Sequence, residues 1–557
     1  MKKKMMTVLA SLLIVTTVSA CGMNNGNDGA SEGGKVDPNV VVDPFGKYEQ
    51  PVEVSIGRAI DPNYQFEDGQ TAEDNIYTRW LSDTYNINVT HAWEASTEDY
   101  KQKVSLAIAS NDLPDAMSVN ETQLKQMIKS GQLADLSEVY EQFGGERLKA
   151  IYDSNPGLLD NVTYDGKLYA FPETTLPSAP LTWIRKDWLD QLGLEPPKTL
   201  EDLEKIAQAF IDNKMGGENT IGIVGTGQGG ELHSTFLNSG DHFFNFSPLF
   251  FAHNAYPGIW VEGEDGKAVY GSTLPETKEA VAMMREWYQK GILDKEMALR
   301  KSPQEVVVSG QAGIFFGPWW SPYSIQDSIK NDPEANWRPY VAPVDDSGVY
   351  NSNQATGSTY IVVSKNYEHP EAIVKMLNIH VSEKDPSYEE VVADKQMTSQ
   401  EIPLFIIAGH GDQLEYAVRS TQKHLKGEMA LEDIDKLSYG FAYELALHAP
   451  SVKKEPFDNY DIQHWDKNGD EAFFTHVYAH LNGGSAFIEA DINYVRSKVT
   501  SQTKTMESRW TNLKKLEDEM FLKMIMGSIS MDEFDTFVEK WYDQGGEKIT
   551  EEVNEIN

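Results

Sequence analysis

Cys21 is the only cysteine among the 557 residues of this chain. A chain with one thiol cannot form an internal disulfide, so its fold must rest on noncovalent packing. Hydrophobic residues make up 40% of the sequence and aromatic residues 11%, which is ample for large cores. Because the chain is also longer than one core usually serves, the sequence predicts two or more lobes.

The residues before Cys21 have the layout of a secretory signal peptide. Three lysines follow Met1, a mostly apolar run extends from Met5 to Val18, and two small residues precede the cysteine. The run is shorter than the roughly 20 apolar residues that a membrane span needs. We therefore predict a signal peptide at residues 1–20, removed by cleavage.

The context Val18-Ser19-Ala20-Cys21 resembles the lipobox of bacterial lipoproteins. This resemblance implies that Cys21 is acylated and becomes the new N-terminus; the alternative is an ordinary signal peptide with an incidental free thiol. The Gly-, Asn- and Ser-rich stretch that follows is typical of a flexible tether, which we assign to residues 21–50. The expected location is the outer face of the cell membrane, with the acyl chain as the anchor.

The formal net charge is −38, which restricts the partners of the chain. So acidic a surface repels phosphate backbones and gains nothing from counterion release. Nucleic acid is therefore not an expected partner, and the charge mainly keeps the body soluble.

Strand and helix patterns alternate from about residue 50. PVEVSIGRAI and INVTHAW have period-2 apolar residues, while EDNIYTRWLSDTY and DYKQKVSLAIAS have helical patterns, and a short apolar strand ends at Asn120. This alternation predicts an α/β protein with a mostly parallel sheet and crossover helices.

Capping signals place later helices. Thr199 and Asp202 have capping-box spacing at the start of one helix, and Pro370 is suited to the first turn of another. Near the C-terminus, Ser530 and Glu533 predict a second capping box, and the pair Gly545-Gly546 predicts the end of that helix.

Five phrases, in this order, resemble the extracellular solute-binding proteins of family 1, and in particular their long lipoprotein branch with the alginate-binding proteins. They are ASNDLPDAM at 109–117, DGKLYAFP at 165–172, WIRKDWLDQLGLEPPKTLEDL at 183–203, GQAGIFFGPWW at 310–320 and FLKMIMGSISMDEFDTFV at 521–538. The resemblance implies a periplasmic-binding-protein-like fold of type II: two α/β lobes, a hinge of two or three crossing segments, and a ligand cleft between the lobes. We assign residues 51–175 to lobe 1, 176–350 to lobe 2, and 351–557 to a return to lobe 1 with segments in both.

The resemblance further implies that the protein captures an oligosaccharide and delivers it to the permease subunits of an ABC importer. A monomer that performs no chemistry and needs no cofactor is expected. One alternative is a surface polysaccharide-degrading enzyme, since 86 acidic residues could supply a catalytic carboxylate pair. Another is a cell-surface interaction or sensory protein.

A sugar cleft needs aromatic planes for stacking and polar groups for the hydroxyl rim. The sequence from Gly317 to Tyr323 offers Trp319, Trp320 and Tyr323 in a loop bracketed by Gly and Pro. Two adjacent indoles in such a loop cannot both point into one core. We predict that one of them faces the cleft; the alternative is that both pack beneath the loop.

Six further residues are predicted ligand contacts. The resemblance to the alginate-binding proteins assigns saccharide binding to Trp260. Trp183 and Arg185 alternate along a strand, and Arg185 is placed at the cleft, with an interlobe salt bridge as its alternative. Tyr64 and Asn120 follow strand ends, and Tyr360 lies near the return across the hinge, with structural roles as the alternative for all three. Because Arg185 is the one plausible cation, a neutral or weakly acidic saccharide is favoured.

Four other patterns are discounted, and no metal is predicted. GTGQGG at 225–230 lacks the strand and acidic residue of a dinucleotide site and is interpreted as a turn. The stretches 210–222 and 466–471 lack residues that a calcium loop needs. His476 and His480 share a helical face without a third ligand and are interpreted as exposed helix histidines.

Overall fold

The computed structural model describes residues 42–557, apart from 62–63, 65, 67–68, 97–98, 156, 175–177, 228–231, 238–242, 301, 354–358, 382–398, 437, 468–470, 500–501 and 557. The predicted signal peptide, Cys21 and most of the predicted tether lie outside the described residues. Within the described part, the structure has no helix that is both long enough and apolar enough to cross a membrane.

The described strands are short after the first two. They are β1 (Val52–Ile60), β2 (Ile87–Ser96), β3 (Ala116–Val119), β4 (Thr163–Tyr164), β5 (Lys167–Leu168), β6 (Ala170–Pro172), β7 (Leu181–Arg185), β8 (Trp260–Glu262), β9 (Ala268–Tyr270), β10 (Ile314–Gly317), β11 (Trp337–Tyr340), β12 (Tyr350–Asn353), β13 (Tyr360–Val363) and β14 (Ile492–Val495).

Helices connect and cover these strands. They are α1 (Ile76–Tyr85), α2 (Tyr100–Ser110), α3 (Glu121–Lys129), α4 (Ser137–Phe143), α5 (Glu146–Asp153), α6 (Lys186–Leu192), α7 (Leu200–Asp212), α8 (Ser247–Phe251), α9 (Pro275–Lys290), α10 (Pro303–Val308), α11 (Pro322–Asn331), α12 (Pro370–Val381), α13 (Gln413–Leu425), α14 (Gly440–Val452), α15 (Glu471–Tyr478), α16 (Ser485–Ile488), α17 (Lys504–Ile525), α18 (Glu533–Trp541) and α19 (Glu547–Ile556).

The first region is built on a five-stranded sheet of order β2-β1-β3-β13-β6. β1 pairs in parallel with β2 and β3, while β13 runs antiparallel to β3 and β6. Its core takes buried residues from 52–171 and from 360–406. The alternating strands and helices expected after residue 50 are confirmed, because β1, α1, β2, α2 and β3 follow one another as predicted.

The second region contains the antiparallel sheet β10-β7-β11. Two hydrophobic cores flank it, and both draw on the middle of the chain and on residues beyond 414. The C-terminal helices α17, α18 and α19 pack in one of these cores, and α13, α14 and α15 pack in the other. The long stretch after 414 therefore belongs to the second region.

Among the described elements, the chain passes from one region to the other three times. The crossing segments are 173–180 between β6 and β7, 354–359 between β12 and β13, and 407–413 between the buried residues Ile406 and Leu414. The exact lobe boundaries given above stay a prediction.

The capping predictions had different outcomes. Asp202 N donates to Thr199 Oγ1 over 3.2 Å at the start of α7, and α12 begins at Pro370, so both of these predictions are confirmed. The second capping box is wrong: α18 begins at Glu533 after Asp532, and no side chain caps it. The predicted stop at the glycine pair is confirmed, because Gly545, at φ 129°, leaves the helical conformation and kinks the chain before α19 begins at Glu547.

Candidate functional site

One edge of the first sheet faces the crossing segments. β1, β3 and β6 run the same way, so their carboxyl ends lie at one edge, where β13 begins. Asp61, Asn120, Glu173 and Tyr360 stand at or directly after those ends. Ligands of open α/β sheets bind outside the carboxyl ends of the strands, so this edge is a candidate wall of a binding site.

The second sheet also presents one edge to the crossing segments. Leu181, the first residue of β7, pairs with Gly317 at the end of β10, and Thr182 pairs with Tyr340 at the end of β11. Because β7 begins directly after a crossing segment, the loop that leaves β10 with Trp319 and Trp320 lies at that same edge.

Seven aromatic and imidazole rings gather at this edge, and we call them the aromatic wall. They are Phe243, Trp319, Trp320, Tyr323, Phe441, His476 and His480. The ring centroids of Trp319 and Trp320 lie 5.3 Å apart, and those of Phe243 and Trp320 lie 6.4 Å apart. Behind them, His480 contacts both Trp319, at 4.7 Å, and Phe441, at 4.8 Å.

A glycine in a π-helical turn allows the wall to assemble. The turn Ala479–Gly484 joins α15 to α16 and brings Gly483 against the backbone of Trp319. A Cβ atom at Gly483 would lie 1.9 Å from the Trp319 carbonyl oxygen, so no larger residue fits there without a backbone shift. Such π-helical turns are frequent at functional sites.

The wall has an inner and an outer layer. Trp319 is 4% exposed and His480 is 5% exposed, whereas Trp320, Phe243 and Phe441 are half-buried. Tyr323 is the most open, at 36% exposed, and its hydroxyl lies 2.7 Å from Nδ1 of His476. Trp320 therefore offers a ring face that a ligand can reach, while Trp319 supports it from behind.

Burial fixes the protonation of the inner layer. Desolvation lowers the pKa of His480 to about 4, although its Nδ1 bonds to the carbonyl oxygen of His476 over 2.8 Å. Burial also lowers the pKa of His476 and raises the pKa of the Tyr323 phenol. The wall is accordingly uncharged at neutral pH.

Trp183 lies behind the wall. It is fully buried, and its indole Nε1 donates to the carbonyl oxygens of Gly317 and Pro318 over 3.3 and 3.1 Å. Trp183 thus holds the loop that carries Trp320. Its placement differs from the predicted ligand contact, because the ring points into the core.

Arg185 lies at the other end of β7, away from the crossing segments. Its guanidinium bonds to Asp187 over 2.6 Å and to Asp332 over 2.7 Å, and it stacks on Trp188 at 4.9 Å. The structure does not bring Arg185 to the candidate site. This arrangement is an ion pair, as the alternative anticipated, but both partners lie in the second region.

Trp260 is also placed in a core rather than at the wall. It is fully buried, 5.1 Å from Tyr270 and 6.0 Å from Trp541. Tyr270 in turn stacks on Trp541 at 4.7 Å and lies 5.5 Å from Trp510. We call Trp260, Tyr270, Trp510 and Trp541 the aromatic core group. The structure therefore does not bring Trp260 to the aromatic wall, and its contact with a sugar stays a prediction.

The three predicted residues of the first region, Tyr64, Asn120 and Tyr360, lie at or near the sheet edge. The side chains of Tyr64 and Asn120 form hydrogen bonds within the first region. The Tyr64 hydroxyl bonds to Glu401. Asn120 caps α3, accepting from Gln123 N over 3.0 Å. Tyr360 opens β13 and is 8% exposed. Their roles in ligand binding stay predictions.

Four residues of the wall were not among the predicted contacts: Phe243, Phe441, His476 and His480. The spacing of His476 and His480 predicts two exposed helix histidines, and this prediction is wrong for His480, which is buried. The apolar residues Phe474, Val477 and Leu481 around the pair were the available signal for burial.

A buried ionic cluster elsewhere in the second region could be mistaken for a metal site. His233 Nε2 lies 3.0 Å from Glu517, and Asp518 is adjacent. Lys514 already supplies the cation, since its Nζ lies 3.3 Å from Glu517 and contacts Asp518. Burial opposes ionisation of Glu517, but Lys514, His233 and Tyr270 together lower its pKa to about 2. The cluster is therefore a charge network that ties α17 to the core.

Two regions that are joined by crossing segments, each with a sheet edge at those segments, are typical of a two-lobed binding protein. A family model described as bacterial extracellular solute-binding protein matches residues 80–378. The chain belongs to this family of bacterial extracellular solute-binding proteins.

Individual relatives agree with the family. The chain is 32% identical over 218 residues to the fructooligosaccharide ABC transporter substrate-binding protein FusA of Streptococcus pneumoniae, a match that covers 37% of this chain and 39% of FusA. It is 21% identical to the polygalacturonan/rhamnogalacturonan-binding protein YtcQ of Bacillus subtilis over 84% of this chain and 85% of YtcQ. The crystal structure of the alginate-binding protein AlgQ2 superposes with a TM-score of 0.56 at 15% identity, covering 92% of this chain and 99% of that one. The superposition with AlgQ2 confirms the expected two-lobed α/β fold.

Proposed function

We propose that this protein is the substrate-binding lipoprotein of an ABC importer, which captures an oligosaccharide between its lobes and delivers it to the permease unaltered. The observation that carries the proposal is the aromatic wall beside the crossing segments. Sugar rings present flat C–H faces, and half-buried aromatic rings are the surfaces that stack on them. Ligand contacts from both lobes would favour the closed arrangement, which a permease can recognise.

The charges around the wall favour a neutral oligosaccharide. The wall is uncharged, and Asp61, Glu173 and Glu401, at or near the edge of the first sheet, are acidic. The one nearby cation that we identify among the described residues, Arg58, is buried and bonded to the carbonyl oxygens of Ser399 and Ile402. Arg185, the cation expected at the cleft, is engaged by Asp187 and Asp332 instead. A chain of uronic acids would meet like charge at that edge.

The names of the relatives support saccharide import in general terms. FusA is named for fructooligosaccharides and for an ABC transporter, and YtcQ is named for acidic pectic polymers. The chain spans 39% of FusA but 85% of YtcQ. The two names point to different saccharide charges, so the neutral assignment rests on the wall and its surroundings.

A thermal-shift screen of the purified mature protein tests the proposal. Neutral fructo-, gluco- and galacto-oligosaccharides are compared with oligogalacturonates of matched length. A ligand at 100 times its Kd stabilises the native state by about 2.7 kcal/mol, which raises the melting temperature measurably. Shifts with neutral oligomers are expected. A shift with oligogalacturonates alone would contradict the neutral assignment.

The enzyme alternative is tested on the same samples. Each oligosaccharide that shifts the melting temperature is incubated with the protein for a day and analysed by mass spectrometry. Recovery of the intact oligosaccharide is expected, and shortened or unsaturated products would reject the transport proposal.

The membrane anchor is proposed from Cys21 and its context. Acylation at Cys21 would hold the body at the outer face of the cell membrane. Mass spectrometry of the N-terminal peptide should find a diacylglyceryl group on Cys21. Cys21→Ser should release the protein into the medium, whereas Ser19→Ala, which keeps a small residue there, should leave it cell-bound.

A further inference from the structure

The three crossing segments are bonded to one another, and two adjacent residues make the bonds. The main-chain N–H of Glu173 donates to Thr359 O over 2.8 Å, and the N–H of Thr174 donates to Ile407 O over 2.8 Å. Glu173 and Thr174 belong to the first segment, Thr359 to the second and Ile407 to the third. Glu173 and Thr174 therefore link Thr359 of the second segment to Ile407 of the third.

The side chains of the same two residues add four bonds, one of which is donated by Thr174 Oγ1 to Ile407 O over 3.3 Å. The Glu173 carboxylate accepts from Ile407 N over 3.2 Å with one oxygen and from Thr359 N over 3.4 Å with the other. Thr174 Oγ1 accepts from Gly409 N over 2.7 Å. One carboxylate thus bridges both neighbouring segments, and bonds from amides to an ionised acceptor are stronger than neutral ones.

The third segment is also held from both sides. Asn155 Nδ2 donates to Gly409 O over 3.0 Å from the first region. From the second region, the Tyr439 hydroxyl donates to Asp412 over 2.8 Å, and the Tyr439 ring lies 4.8 Å from that of His410. Only a few residues between these contacts can absorb a rotation of the lobes.

We propose that Glu173 and Thr174 are positioning residues for solute binding, which tie the three crossing segments into one hinge. With the tie in place, the segments bend together about a common axis, so the lobes keep one relative orientation in the free protein. Without it, each segment bends independently and the lobes sample many orientations. A smaller fraction of the molecules then has the lobe orientation from which the cleft can close. The apparent affinity for the solute falls in proportion to that fraction. The affinity part rests on the proposed function, whereas the effect on lobe orientation does not.

The test measures lobe orientation directly, without a ligand. Spin labels are placed at Leu106→Cys in the first region and Leu299→Cys in the second, both exposed, in a chain carrying Cys21→Ser. Double electron–electron resonance then gives the distribution of distances between them. Glu173→Ala should at least double the width of this distribution, and Thr174→Val should broaden it less. Glu539→Gln, a change at an exposed glutamate of α18, should leave it unchanged.

Hydrogen exchange supplies the second measurement. The amides of Thr359 and Ile407 should exchange roughly ten times faster in Glu173→Ala, because their acceptor is gone. Glu173→Gln retains one carbonyl oxygen as an acceptor, so it should protect one of these two amides and expose the other. If Glu173→Ala does not fold, Glu173→Gln replaces it in both measurements. A folded Glu173→Ala with an unchanged distance distribution would overturn the proposal. A broadened distribution in a protein that binds no saccharide would instead sink the proposed function alone.

Discussion

The aromatic wall and the aromatic core group use the same residue types in the same lobe, yet their surroundings differ. In the core group, Trp260 and Trp541 are fully buried, and both pack against the ring of Tyr270. In the wall, Trp320 is half-buried and only its inner neighbours are covered. Residue type therefore does not separate a ligand platform from a core; the covered fraction of each ring does.

The difference has an energetic meaning. A fully covered indole contributes to the free energy of unfolding through its buried area and its packing. A half-covered indole has apolar area left to bury, and a ligand can bury it. Substitutions in the aromatic core group should therefore lower stability, whereas substitutions in the outer layer of the aromatic wall should lower ligand affinity.

Trp260→Ala should have the largest effect on stability. Removing a fully buried indole loses its transfer free energy and leaves a cavity beside Tyr270 and Trp541, at a cost of about 3–5 kcal/mol. Urea unfolding monitored by circular dichroism measures this change. Trp320→Ala is the matched control, with an expected loss under about 1.5 kcal/mol. Equal losses in the two variants would remove the distinction between the core group and the wall.

The inner layer of the wall should make stability depend on pH. Burial lowers the pKa of His480 from the ordinary histidine value of 6.5 to about 4 in the folded protein, so the unfolded chain binds more protons between these pH values. Stability must then fall as the pH drops from about 6.5 to about 4, by at most about 3 kcal/mol at 1.36 kcal/mol per pKa unit.

His480→Gln isolates this effect. Urea unfolding at pH 7.0 and pH 4.5 should show a smaller decrease in the variant than in the unmodified protein. His253, His380 and His410 also have lowered pKa values, but they titrate in both proteins and cancel in the comparison. His476 contacts His480, so any change in its titration is part of the measured difference. An identical decrease in both would mean that His480 is not buried in its neutral form.

Much of the fold could be predicted from local patterns. β1, β2 and the helices between them follow apolar periodicity that local sequence carries, and Thr199 marks a helix start with a short-range bond. Ser530 carries the same pattern but no cap forms, because Asp532 stands at that helix start instead. Short motifs predict a cap only when the backbone enters the helix at the expected residue.

Which residues lie at the candidate site depends on contacts between parts of the chain that are far apart in sequence. Trp260 is covered by Trp541, which lies on α18 near the C-terminus, so no local pattern around Trp260 indicates its burial. Arg185 alternates with Trp183 as predicted from strand geometry, but the register with β10 and β11 decides which end of β7 meets the crossing segments. Glycine and proline around Trp319 and Trp320 predict that one of the two indoles faces the cleft, but they do not indicate which one.

Trp320→Ala should weaken saccharide binding more than it changes stability. Loss of a stacking face of this size removes about 1.5–3 kcal/mol of binding free energy, or roughly ten- to hundredfold in Kd. Isothermal titration calorimetry with whichever neutral oligosaccharide gives the largest thermal shift measures it. Trp320→Phe keeps a smaller ring and should lose less. Undiminished affinity in Trp320→Ala would show that the outer layer of the wall is not the ligand platform.

Tyr323→Phe should have the smallest effect on stability and affinity. It distinguishes the contribution of the Tyr323 ring from that of its hydroxyl. The substitution keeps the aromatic face but removes the 2.7 Å hydrogen bond to His476. A single partly exposed hydrogen bond contributes about 0.5–1.5 kcal/mol, so a small loss of stability is expected. If Tyr323 contacts the ligand through its ring, affinity should change less than about threefold. A loss comparable to that of Trp320→Ala would instead mean that the hydroxyl binds the saccharide, or orients His476 to do so, and the wall would then act through hydrogen bonds as well as stacking.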